Sequence, residues 1–231
     1  MESTPEASRL PPQPHRGRLI AWLIFVLALT GLAYAGRLGD SEPPEDIAYR
    51  YSYAIAAAIQ YAVMLGILLL IARGLPVREL FALRRPPSWW RALGFAAIAL
   101  VAIWIVSAAL SPFLDATDEQ GLVPDEWDSS RAGAFAAFFV VVAFIAPAVE
   151  ELTYRGLGFS LLAPYGTPVA ILATGVLFGL AHGLLVALPV LTFFGIAIGW
   201  LRARSDSIYP PMALHATFNA TALVVSVAGV G

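Results

Sequence analysis

Residues 132–162 read AGAFAAFFVVVAFIAPAVEELTYRGLGFSLL. No charged residue occurs from Ala132 to Val149; Glu150, Glu151 and Arg155 then follow, and from Gly156 to Leu201 there is again no Asp, Glu, Lys or Arg. About 20 apolar residues cover a bilayer core as a helix. The stretch is therefore predicted to be a membrane helix from about Ala132 to Leu162, stopping at Pro164-Tyr165-Gly166-Thr167-Pro168. An ionisable side chain at bilayer depth costs about 2.5–3.5 kcal/mol on insertion scales and is a functional-site candidate by default. Pro147 lacks a backbone donor, so a kink is expected just before the carboxylates, freeing carbonyls for water or substrate.

The surrounding chain has the same character. Of 231 residues, 59% are hydrophobic and 13% charged, and the mean hydropathy is +0.75, against roughly 45–50% apolar and about 25% charged in soluble domains. An all-α, polytopic integral membrane bundle of about seven helices follows. Uncharged runs cover Leu19 to Gly36, Tyr51 to Ala72 and Ala92 to Leu114; the 156–201 run holds two crossings turning near Leu188 and Pro189, and Ser207 to Gly231 is the last. The organisation expected is a disordered cytoplasmic tail (1–18), N-terminal transmembrane helices (19–130) and a catalytic transmembrane core (131–231). Ala33-Tyr34-Ala35 resembles a signal cleavage site, but the apolar run is long for one and is read as the first span.

Cysteine is absent and all 14 basic residues are arginine. Thiolate chemistry, disulfides and a lysine base are thereby excluded, and nothing suggests nucleic-acid binding. Cytoplasmic loops carry the excess of positive charge. The tail, the loop with Arg73, Arg78, Arg84, Arg85 and Arg91, and Arg202 with Arg204 alternate with acidic loops holding Asp40, Glu42, Glu45, Asp46 and Asp115 to Asp128. This pattern predicts a cytoplasmic N-terminus in a multi-pass protein of the cell's inner or plasma membrane.

Two further spans carry imidazoles: His182, and His215 with Asn219 one turn on. At 1.5 Å per residue, Glu150, His182 and Asn219 lie about 18, 21 and 16 Å in from the cytoplasmic ends of their helices. This common depth is what a shared site requires. Glu151 and Arg155, four apart in the favourable order, are expected to form an ion pair, leaving Glu150 to point at another helix. Gly175, Gly179 and Gly183, and separately Gly195 and Gly199, form small-xxx-small rows for close helix packing. Phe135, Phe138, Phe139 and Phe144 are expected to face lipid or core.

Glu150-Glu151-Leu-Thr-Tyr-Arg155, Phe178-Gly-Leu-Ala-His182 and His215-Ala-Thr-Phe-Asn219 resemble the EExxxR, FxxxH and HxxxN motifs of the CPBP family of CAAX-protease and bacteriocin-processing membrane endopeptidases, also called the ABI family. Gly195, Gly199, Ser207 and Ile208 also fit its pattern. The resemblance implies an intramembrane endopeptidase with a water-filled cavity, acting on a peptide or membrane-protein substrate, CAAX-like or otherwise membrane-associated. It implies that Glu150 activates water with help from His182, that His215 and Asn219 steady the oxyanion, and that Glu151, Arg155 and Phe178 support them. Glu150, His182 and His215 could instead hold a catalytic zinc; with no HExxH, a metal-free glutamate mechanism without cofactor is favoured. Bacteriocin self-immunity, membrane scaffolding with little hydrolysis, or an ion relay are the alternatives. A transporter would be expected to show internal repeats, and none is seen.

Overall fold

The computed structural model describes residues 15–37, 46–114, 124 and 126–228. Among these, seven long helices form the bundle: α1 (Arg16–Arg37), α2 (Tyr51–Ile71), α3 (Trp89–Leu110), α4 (Ser129–Tyr165), α5 (Thr167–Ala181), α6 (Leu188–Ser205) and α7 (Tyr209–Val227). The first four are long and apolar enough to cross a membrane; α5, with 15 residues, is shorter. The chain is an integral membrane protein. Helix α1 begins at Arg16, so the last residues of the expected 1–18 tail are helical; residues 1–14 and the acidic residues Asp40, Glu42, Glu45, Asp115, Asp118, Glu119 and Asp125 lie outside the described residues.

The glycine rows are only partly as expected. Helices α5 and α6 form a hairpin in close contact: a Cβ on Gly175 would come within 2.8 Å of the Ile196 backbone, and one on Gly195 within 2.7 Å of the Gly175 carbonyl. Gly179 faces Thr192 in the same seam. Gly183 does not continue the row. It sits past the helix end at φ +67°, a left-handed turn favouring glycine, where an added Cβ would come within 2.9 Å of the Ala33 backbone of α1.

Helix α4 is not a regular helix. Residues Val141–Ile145 and Leu152–Gly158 are π-helical, on either side of an α-helical Ala146–Glu151 that holds Pro147 and both glutamates. Wide turns of this kind recur at functional sites, and here the carbonyls they turn outward accept from three other helices. Asn219 Nδ2 of α7 donates to Val142 O (3.0 Å), Trp22 Nε1 of α1 to Thr153 O (3.0 Å) and Arg202 Nε of α6 to Arg155 O (3.2 Å). The Ala146 N–H bonds Val141 O, five residues back; in that register the next donor would be residue 147, which is proline. The carbonyl expected to be open to water or substrate is therefore closed by Asn219. Gly156 and Gly158 let large side chains lie on the second wide turn, since added Cβ atoms would meet Phe81 at 2.7 Å and the Trp22 ring at 2.2 Å.

Each end of the bundle is clasped. Arg84 pairs with Asp206 in the α6–α7 turn, Ser207 Oγ donates to Arg84 O (2.6 Å) and the Ile208 N–H to Ala82 O (3.1 Å). At the other end Arg131 pairs with Asp46 and Asp128, and Tyr49 Oη donates to Glu126 O (2.6 Å). The Arg50 guanidinium, joined by Arg131, holds the Asp46 carboxyl below its ordinary range. Hydrogen bonding from the Ser130 hydroxyl and Arg131 lowers Asp128 to about 2. Phe135 and Phe138 are buried near this end, whereas Phe144 is exposed.

Candidate active site

Glu150 and Glu151 lie in mid-helix, and their neighbours differ sharply. Glu151 is fully buried and Arg155 with it; Arg155 Nη1 donates to Glu151 Oε1 (3.0 Å) and Nη2 to Gly195 O (2.8 Å). The ion pair that the spacing predicts is present. His215 Nδ1 reaches the same Glu151 oxygen at 2.9 Å. A carboxylate oxygen held by an arginine can only accept here, so Nδ1 carries the proton and Nε2 is the free nitrogen of the ring. Arg155, Glu151 and His215 thus form a buried chain that fixes the direction of the imidazole.

Glu150 stands at the end of that chain. Its Oε2 lies 3.8 Å from His215 Nε2, too long for a direct hydrogen bond but suited to a small molecule touching both. Its Oε1 accepts from Tyr61 Oη of α2 at 2.6 Å. Glu150 therefore does point at other helices, at α2 and α7 together.

His182 closes α5, with Nδ1 on Phe178 O at 2.8 Å. The carbonyl accepts, so His182 too has its proton on Nδ1 and an open Nε2. No bond joins it to either glutamate among the described contacts; Phe178 connects the two histidines, with ring centroids 4.7 Å from His182 and 5.6 Å from His215. The Arg155 guanidinium also lies over Phe178, 4.5 Å from its centroid, an arrangement that stabilises a buried cation. Asn219, one turn after His215, has one amide proton committed to Val142 O and a second left over. Among the described residues no group of three His, Cys, Asp or Glu is arranged to hold a metal ion; Glu150, His182 and His215 do not form such a set in this geometry.

Tyr61 was not foreseen. It is one of eight tyrosines, in a span without charge and 89 residues before its partner; its only sequence signal is a hydroxyl in mid-bilayer that must find an acceptor. Beside the site, Trp89, Trp104, Ala213 and Phe218 help line a groove of about 540 Å³ between α3 and α7. Phe218 packs on Phe194 and Phe194 on His215, each at 5.0 Å.

Residues 132–221 match the family model described as Type II CAAX prenyl endopeptidase Rce1-like. That stretch, which contains Glu150, Glu151, Arg155, Phe178, His182, His215 and Asn219, is similar to the CAAX-protease domains of the CPBP kind, and the similarity supports intramembrane endopeptidase activity. No curated protein and no solved structure matches the chain.

Proposed function

We propose that the protein hydrolyses a peptide bond of a membrane-associated, CAAX-like substrate, using a water activated by Glu150. The observation that carries this is the pairing of Glu150 Oε2 with His215 Nε2 at 3.8 Å in a largely dehydrated interior. A water touching both atoms gives its proton to Glu150 as its oxygen attacks the scissile carbonyl, and Glu150 returns that proton to the leaving amine. His215, oriented by the Glu151–Arg155 pair, accepts the other hydrogen of that water at its bare Nε2, and the second amide proton of Asn219 is the donor for the charge that develops on the tetrahedral oxygen, where a fixed donor is worth most. His182, whose Nε2 is left open by the bond from Nδ1 to Phe178 O, is the second group assigned to assist the water. No step is routed through a metal, because the candidate ligands do not gather into a set of three.

The test uses the purified protein in lipid nanodiscs with lipidated and unlipidated CAAX peptides. Glu150→Gln keeps the shape but cannot take a proton, so turnover is expected to vanish while folding and substrate binding persist. Wild-type activity is expected to survive exhaustive chelation. Full activity in Glu150→Gln refutes the base; loss of activity on chelation, restored by zinc, refutes the metal-free reading.

A further inference from the structure

Glu150 reaches a residue that lies well outside the matched 132–221 domain. We propose that Tyr61 is a positioning residue for the reaction: its hydroxyl fixes Oε1 of Glu150 so that Oε2 alone is presented to the water. The inference rests on Glu150 being the general base.

A carboxylate at the middle of a helix can rotate about its terminal torsion, which is broad and roughly two-fold. Either oxygen could then face the substrate, and each rotation would change the distance to His215. Tyr61 Oη at 2.6 Å removes that freedom by donating to one oxygen only. A phenol suits the task better than arginine or lysine would. It donates one hydrogen bond while staying neutral at working pH, so it holds the carboxylate without neutralising its charge or forming the tight ion pair that occupies Glu151. The two adjacent glutamates are thus divided in role by their donors: Glu151 takes a cation and an imidazole on one oxygen, whereas Glu150 takes a single neutral hydroxyl. The donor comes from α2, which packs against the middle of α4 around Pro147 and the glutamates. The first half of the chain therefore contributes to the geometry of the base, although the motifs all lie in the second half.

The experiment compares Tyr61→Phe, Tyr61 replaced by 3,5-difluorotyrosine, and Glu150→Gln, each in nanodiscs with a full kcat and KM determination and a thermal unfolding curve. Misplacing a reacting group by about 1 Å can cost on the order of 10²-fold, so Tyr61→Phe is expected to lower kcat by about 10- to 100-fold with KM unchanged and unfolding nearly unmoved. Difluorotyrosine preserves shape and packing but alters the acidity of the hydroxyl; kcat is expected to change with KM constant, which keeps the proposal testable should the phenylalanine variant not fold. Tyr53→Phe, another hydroxyl on α2, is expected to match the wild type. A wild-type kcat in Tyr61→Phe or in the difluoro variant, with Glu150→Gln inactive, overturns the role of Tyr61 and leaves the base intact. Activity in Glu150→Gln overturns the base itself.

Discussion

Asn219 offers the sharpest separation between a chemical and a structural role. Its side chain supplies the hydrogen bond that Pro147 cannot, donating to Val142 O at 3.0 Å. Asn219→Leu keeps the volume and removes the donor. An unpaired buried carbonyl costs about 1–3 kcal/mol in soluble proteins, but interhelical polar pairs in membranes average about 0.6 and reach about 1.7 kcal/mol, so a loss of about 0.6–2 kcal/mol is expected. Equilibrium unfolding in mixed micelles measures it. Pro147→Ala returns a backbone N–H to the wide turn, and in that background Asn219→Leu is expected to cost almost nothing further, a coupling nearly as large as the single effect. Turnover is read on the same four proteins. A donor to the oxyanion is worth about 10²–10³ in kcat, and that loss is expected in both backgrounds because alanine at 147 cannot reach the substrate. Equal stability costs with and without Pro147 would refute the account of the Val142 carbonyl. Turnover rescued by Pro147→Ala would refute the oxyanion role.

Two other perturbations have defined outcomes. Glu151→Gln and Arg155→Gln each leave a buried partner unpaired and are expected to cost about 3–5 kcal/mol, with the double variant costing less than the sum in the same unfolding assay; strict additivity would show that the pair is not coupled. Asp128 titrates at about 2 in the folded protein, below the usual value of about 3.9 for an unfolded aspartate, so the support it gives is present above about pH 4 and is lost as pH falls toward 2. Thermal midpoints of the wild type and Asp128→Asn are therefore expected to converge over that window, and a gap that stays constant down to pH 2 would refute the assignment.

What was legible in the sequence was local or compositional. The helices followed from uncharged runs, and the Glu151–Arg155 pair from a four-residue spacing that one helical turn enforces. The partners of the histidines were harder. A common depth placed Glu150, His182 and Asn219 together, but depth does not say which faces meet, and the π-helical turns on either side of the glutamates rotate α4 away from the 100° per residue used to project its faces. Hence His215, and not His182, bonds Glu151 and lies nearest Glu150. The same turns decided the fate of the carbonyls near Pro147. Gly183 looked like the third member of a packing row because spacing alone cannot see that the helix has ended. Tyr61 was hidden because one hydroxyl in an apolar span carries no periodic or charge signal.

The indole of Trp22 and the ring of Phe81 lie on Gly158 and Gly156, and this contact sets a limit on modularity. The segment that carries every motif is bounded at 132, but its central helix was shaped to receive side chains contributed more than 70 residues earlier. Cut free at residue 131 or joined to unrelated leading spans, that segment would present bare glycine surfaces, an unpaired Thr153 carbonyl and a Glu150 without its hydroxyl. Exchange among relatives is expected to succeed only when these two aromatic side chains, and the spans that hold them, travel with the motifs.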